Sequence, residues 1–298
     1  TQQPTASTPS PNRVALDQGR ERMRPNFFLR LLELADTHEP LVFDARHVFV
    51  FFSREQEQVD RLWNMVVQRL SFDMTNPVMT VRLHLLALLL TSDRIQPKLP
   101  WPTLPHIARN LVTAMEQAPP HKDETETVWL SSALLSLCGI LSASEWSEGY
   151  AAVPGDATER TAFLDEMRPM LLTLMLRILE HSSQLSDGSL LGLARMLVLL
   201  TRDPRIAASM VEQRALPLVL RPLLTRRRFQ RASYQRLVII VLRHMVESGG
   251  SLLPLLTNEL HVWMNQSSRP RPTEVSSLLK AMGHSVIRSP PTFLDAAA

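Results

Sequence analysis

The sequence predicts an all-α fold, an open right-handed α-solenoid of about fourteen helices, and three observations carry the prediction. From Met23 onward, apolar residues recur at three- and four-residue spacing in one segment after another. Glycine (9) and tyrosine (2) are scarce, and leucine with 13 methionines supplies side chains that lose little rotamer freedom in a helix. The 22 prolines fall where helices would begin, since proline at a first turn has no N–H to waste and a φ already suited to helix.

The elements read in order from these signals. Residues 1–22 are rich in Ser, Thr, Pro and Gln and poor in apolar groups, so they cannot offset their ordering entropy and read as a disordered linker. This polar opening at Thr1 has no charged and apolar leader pattern and reads as neither a signal peptide nor a native start. Residues 23–298 then form one helical array. Its helices are expected at about 26–36, 40–52, 54–71, 77–91, 103–117, 124–142 and 158–181. Further helices are expected at about 187–201, 204–212, 216–224, 230–247, 251–264, 273–287 and 291–297. Glu39-Pro40, Asn76-Pro77 and Asp203-Pro204 have the form of a cap followed by a first-turn proline. Residues 118–124 and 144–156 read as longer surface loops, and Pro169 should kink or split its helix near Arg168.

The clearest pattern lies in 187–247. An apolar run ends at Thr201, Asp203-Pro204 opens a short helix, Ala215-Leu216-Pro217 opens a second, and a long apolar helix from about Gln230 to Glu247 closes the unit. This order resembles an armadillo repeat, whose third helix lines a groove, and a period of roughly 42–45 residues fits armadillo or HEAT-type stacking. The run Leu237 to Leu242 with Met245 and Val246 leaves only a narrow polar stripe, so that helix should be sandwiched between neighbouring units.

Composition also bounds the chemistry. Net charge is +3 from 32 basic and 29 acidic residues spread over most of the chain, which is no nucleic-acid signature by itself. No GxGxxG, GxxxxGK, HExxH or GxSxG string occurs, so the reading assigns no cofactor, no metal ligands and no catalytic residues. The one cysteine, Cys138, allows no internal disulfide and points to a reducing compartment. It lies in the apolar run 134–141 and reads as a core thiol rather than a nucleophile. The longest apolar stretches fall far short of the roughly 18 residues that a membrane span needs, so no membrane partner is expected.

One charge feature stands apart: Arg221, Arg226, Arg227, Arg228, Arg231, Arg236 and Arg243. The plainer reading is a solvated loop between two helices. The sharper one is a patch for an acidic protein or, less well supported, for nucleic acid, with Phe229 and Tyr234 interleaved. Arg236, Arg243 and Glu247 fall on one helical face and would point into a groove, or simply into solvent. The five tryptophans read as core anchors, with Trp146 the exception nearest to a binding role. The candidate protein-binding set is therefore Arg226, Arg227, Arg228, Arg231, Arg236, Arg243 and Trp146.

The stretch Ser189 to Leu224, with its Leu-Thr-Arg-Asp-Pro-Arg run and Ala-Leu-Pro start, resembles the giant HECT-type ubiquitin ligases of the Mule family. The likeness continues through Leu242-Arg243-His244-Met245-Val246-Glu247. It ends in 274–298, at Ser276 to Leu279, Ala281-Met282 and Arg288-Ser289-Pro290 to Phe293. It covers about the last 110 residues, and its leucine-rich motifs are moderately specific. The resemblance implies a non-catalytic scaffold segment of an E3 ubiquitin-protein ligase in cytoplasm and nucleus, recruiting protein substrates and packing on neighbouring repeats of the same chain. A ubiquitin-charged conjugating enzyme (E2) would be met only by a distant HECT domain. Cys138, preceded by leucine, does not match that domain's acceptor cysteine. The competing reading is an armadillo or HEAT adaptor for nuclear transport or complex assembly, unrelated to ubiquitin.

Overall fold

The computed structural model describes residues 25–53, 55–118, 128–145, 156–225, 231–248, 252–265, 283 and 290–297. Among them the chain is all-helical, with thirteen α-helices, two 3-10 turns and no strand. The expected linker, the expected helix at 273–287 and most of both expected long loops lie outside the described residues. The chain divides into two compact units, 1–167 and 168–298, a division that the helical periodicity does not mark.

The first unit holds α1 (Pro25–Thr37), α2 (Leu41–Phe52), α3 (Gln56–Val67), α4 (Pro77–Leu90), a 3-10 turn (Gln96–Lys98), α5 (Thr103–Gln117) and α6 (Val128–Glu145). Asn76 caps α4 as its sequence predicts: its Oδ1 accepts the Val78 N–H at 3.0 Å and Pro77 takes the first turn. Glu39 does not cap α2. Its side chain makes no cap bond, and the N–H groups of Leu41, Val42 and Phe43 are met by the carbonyls three residues back, a 3-10 entry that needs no side chain. α3 ends at Val67, earlier than its apolar pattern suggests. The next residues tighten into i→i−3 bonds, and Phe72 then turns the chain at φ 56°, where a β-carbon is crowded.

The tightest packing in this unit is α4 on α6, both apolar nearly all round. Leu83, Leu86, Leu89, Leu90, Leu134, Leu137 and Ile140 are fully covered. Gly139 is what allows the approach: a β-carbon there would sit 2.6 Å from Leu90 Cβ and 3.1 Å from Leu90 O. Its carbonyl accepts the Gln96 side-chain amide at 2.9 Å, which draws the 3-10 turn onto the same contact. Cys138, beside it, is buried as expected of a core thiol.

At the other edge of the unit, Asp36 on α1 receives Arg82 of α4 in a two-pronged bond (3.1 and 2.8 Å) and also Arg69. Arg82 donates in turn to the Arg69 carbonyl. One carboxylate thus ties three segments together in a largely covered setting, where a two-pronged guanidinium fixes orientation as well as distance.

α7 (Asp156–Glu180) contributes to both units and carries Pro169 in its interior. The helix runs on through this position, so the split, one of the two outcomes expected of Pro169, does not occur. Proline removes one donor, but the buried residues Phe163 and Met167 before it, and Leu171, Leu172 and Met175 after it, hold the helix on either side.

The second unit continues with a 3-10 turn (Ser182–Gln184), α8 (Asp187–Leu200), α9 (Pro204–Glu212), α10 (Leu216–Thr225), α11 (Arg231–Ser248), α12 (Leu252–Asn265) and α13 (Pro290–Ala297). A short α9, an α10 that opens at Leu216-Pro217 and a long α11 follow the order read from 187–247, and α11 packs on α8, α9 and α10. Asp203 caps α9 through the Arg205 N–H (2.9 Å) and also holds the side chains of Arg205 (2.9 Å) and Arg168 (3.1 Å). Between α9 and α10 the chain turns through Arg214 at φ 52°, closed by the Ala215 N–H on the Met210 carbonyl at 3.0 Å. Leu256 and Leu260 of α12 with Phe293 of α13 form a separate small core.

Two outcomes follow from this packing. Gly139→Val should lower stability by about 3 kcal/mol in urea unfolding, because the Leu90 backbone and β-carbon cannot yield as a flexible side-chain tip would. Asp203 carries the second. The Arg205 side-chain bond, opposed by burial and helped by the Arg205 N–H and by the charge of Arg168, holds its carboxyl below the ordinary range. Its ionised form therefore stabilises the fold fully above the unfolded-chain value of about 3.9, and that contribution is lost as pH falls through the lower folded value. Asp203→Asn should lower the urea midpoint at pH 7, and its gap to the native chain should close steadily below about pH 4.

Candidate protein-binding surface

α11 is built so that one face is held and the opposite one is open. Tyr234, Val238, Val241 and Met245 recur at helical spacing and are buried against α8, α9 and α10. Tyr234 is the deepest of them, with its hydroxyl donating to the Val219 carbonyl at 2.9 Å, and burial pushes that phenol far above its ordinary range. His244, at the margin, is fixed by a 2.9 Å bond between its Nδ1 and Thr201 Oγ1. Burial pushes its imidazole down, and Arg202 and Arg243 act in the same sense against Glu247.

The opposite face carries Arg236, Ile239, Ile240, Arg243 and Glu247 in a stripe of i, i+3, i+4, i+7 and i+11. All five are exposed, Ile239 at 55% and Ile240 at 38%. Arg243 Nε and Glu247 Oε1 pair at 3.0 Å one turn apart. The sequence reading puts Arg236, Arg243 and Glu247 on one face, and the structure does the same. It also expects this helix to be sandwiched, and that is corrected here: the two isoleucines between the arginines stand in solvent. Among the described residues α11 is thus covered mainly on the side of Tyr234, Val238, Val241 and Met245, where α8, α9 and α10 pack, with a smaller contact from α12.

The other expected site residues fare differently. Arg226, Arg227, Arg228, Phe229 and Trp146 lie outside the described residues. Arg231 opens α11, but its side chain lies outside them too. Arg221 on α10 is exposed and donates to the Glu180 carbonyl at 3.2 Å, where a cation suits the C-terminal end of α7. Tyr234 is a core residue and offers no ring for stacking. Trp63, Trp101 and Trp129 are buried as anchors, and Trp263 is half-buried. Trp63 Nε1 donates to Thr103 Oγ1 at 2.8 Å.

Pattern reading passes over a second constellation, on α7, α5 and the turn before α5, within the first unit. Arg160 stacks 4.7 Å above the Trp101 ring, Trp101 meets Phe163 edge to face at 5.6 Å, and Arg109 clasps Glu166 with bonds of 3.0 and 2.7 Å. Both rings are buried, so the cluster fastens the start of α7 and presents no aromatic surface. Among the described residues no group of three or more His, Cys, Asp and Glu is placed to hold a metal ion. No single described helix is long and apolar enough to cross a membrane; α11 and α12 reach that composition only as a pair bent by 96°.

Compared with known proteins, the chain matches no protein-family model, no curated protein and no solved structure.

The two faces of α11 differ in what they do, and substitution separates them. Tyr234→Phe removes the hydroxyl's bond to the Val219 carbonyl and should cost about 1 kcal/mol in urea unfolding. Arg236→Ala and Arg243→Ala, on the open face, should each stay within about 0.5 kcal/mol of the native chain.

Proposed function

We propose that this chain is a non-catalytic helical-repeat scaffold that binds proteins through exposed helix faces, and that it serves a HECT-type ubiquitin ligase by bringing substrates to the catalytic domain. The observation that carries the binding part is α11, a long helix anchored by Tyr234, Val238, Val241 and Met245 with its charged and apolar face in solvent. Fixing one side of a helix and leaving the other uncovered is what a rigid recognition element requires, since little ordering entropy is then spent on binding. The ubiquitin part is supported by the residue pattern of 189–247, in which the Leu-Thr-Arg-Asp-Pro-Arg run and the Ala-Leu-Pro start stand at the two helix entries of α9 and α10.

The same reading takes the helices as an open armadillo-like stack whose further partners are neighbouring repeats of one polypeptide. Its setting would be cytoplasm and nucleus, and its contribution to transfer is proximity. Cys138 supports the division of labour: a thiol buried between Leu134, Leu137 and Leu141 is closed to the attack that forms a ubiquitin thioester. An adaptor unrelated to ubiquitin would use the same face.

Transfer assays distinguish the two. With activating enzyme, conjugating enzyme and ubiquitin, the chain alone should acquire no thiol-sensitive ubiquitin adduct. Joined covalently to a HECT catalytic domain, it should raise ubiquitination of the proteins it captures well above the level given by the same domain unjoined. Equal labelling in the joined and unjoined arms would leave the adaptor reading in possession.

A further inference from the structure

From Gln213 to Val246 the sequence contains eight arginines and no aspartate or glutamate, although the whole chain is only +3. The basic charge is therefore concentrated in this stretch of sequence, with Arg214, Arg221, Arg231, Arg236 and Arg243 at α9's exit, in α10 and in α11, and the rest of the sequence is net acidic. Of these arginines, Arg236 and Arg243 are placed on the open face of α11, two turns apart, with Ile239 and Ile240 between them.

We propose that this face is a docking site for an acidic amphipathic helix of a partner protein. The inference rests on the scaffold reading above and names its partner class. Apolar side chains one helical step apart on α11 match an apolar stripe on a second helix, the ordinary mode of helix-on-helix recognition. Carboxylates flanking that stripe on the partner meet Arg236 and Arg243 on either side of the two isoleucines, so charge sets register and apolar burial sets residence. On the face itself Arg236 and Arg243 are set against one carboxylate, Glu247, which leaves a net positive charge to attract such a partner.

Two other occupants fit less well. Nucleic acid bound without base pairing is held by aromatic platforms, and among the described residues of α11 the tyrosine, Tyr234, is fully buried with its hydroxyl engaged. A second copy using the same face would set arginine against arginine across a two-fold axis, with one Glu247 per chain to offset them. Glu247 itself is informative, because its bond to Arg243 occupies a guanidinium that an incoming carboxylate would need.

The test is fluorescence anisotropy with the whole chain and a labelled synthetic peptide of about 18 residues. Leucines at i, i+4, i+7 and i+11 form one stripe of the peptide and glutamates flank it. A scrambled peptide of the same composition and a single-stranded RNA of equal charge are the comparators. The ordered peptide should bind saturably, and the scrambled one about tenfold or more weakly. Arg236→Glu with Arg243→Glu, and separately Ile239→Ser with Ile240→Ser, should each weaken binding about tenfold or more. Glu247→Gln should strengthen it by removing a competing carboxylate, an effect that a merely structural salt bridge would not produce. Arg61→Glu, an exposed charge reversal on α3, should change nothing, and circular dichroism should show every variant helical. Equal binding of both peptides, tighter binding of RNA, a concentration-dependent dimer lost with Ile239→Ser and Ile240→Ser, or variants that bind like the native chain would each overturn the proposal. If peptide binding fails while joined ubiquitin transfer holds, the docking site is wrong and the scaffold reading stands; the reverse outcome removes ubiquitin and keeps the site.

Discussion

A helix that is apolar on more than one side can stay in water only if more than one neighbour covers it, and this requirement organises the molecule. α4 shows it met in full. Its leucines face α6 on one side and α1 and α2 on the other, and the fit to α6 is close enough that position 139 has no space for a β-carbon. Where the requirement is met, large apolar side chains vanish from the surface. Among the described residues no large hydrophobic side chain of α3 to α6 is exposed, whereas α1 and α2 expose Phe27, Leu34, Phe43 and Phe51, and α11 and α12 expose Ile239, Ile240, Val262 and Met264. Helices α7, α10 and α13 are also covered incompletely, exposing Met170, Leu216, Leu224 and Leu294.

The helices themselves are legible because their signals are local. Asn76-Pro77 and Asp203-Pro204 announce starts through a donor that the cap side chain satisfies and a φ that proline presets, and both caps form. Ends are harder to read where the turn is made by a residue that is not built for it. Arg214 and Phe72 take left-handed backbone positions that would ordinarily be marked by glycine, and neither residue type signals a turn. Glu39 misleads in the other direction, and so does the split expected at Pro169. The first has the chemistry of a cap without its geometry, and the second has the chemistry of a break within a helix whose packed flanks outweigh one missing hydrogen bond.

The candidate site is half legible for a related reason. Arginine spacing alone places Arg236, Arg243 and Glu247 on one face, since that needs only the helical period. What the period cannot supply is which of two apolar faces of α11 the neighbours will take. Val238 and Val241 are buried and Ile239 and Ile240 are not, although all four are β-branched and adjacent in sequence. The choice is made by Tyr234, whose hydroxyl needs a buried partner and finds the Val219 carbonyl, so that its side of the helix turns inward. The same bond converts an aromatic residue that looked available for stacking into part of the core.

Two exposed isoleucines would ordinarily be a liability, yet here they lie between guanidinium groups on the same face. Arginine is weakly hydrated, so guanidinium groups beside an exposed apolar pair cost less to bring against a partner than ammonium groups would. Lysines at 236 and 243 would keep the charge and lose the planar, two-pronged grip on a carboxylate. Like charges at both ends of the apolar pair also repel another copy of the same face while attracting an acidic one. If the proposed acidic helix docks here, discrimination between partners would come from the repulsive element as much as from the attractive one, and would need no more than two arginines two turns apart on a helix that the core already holds still.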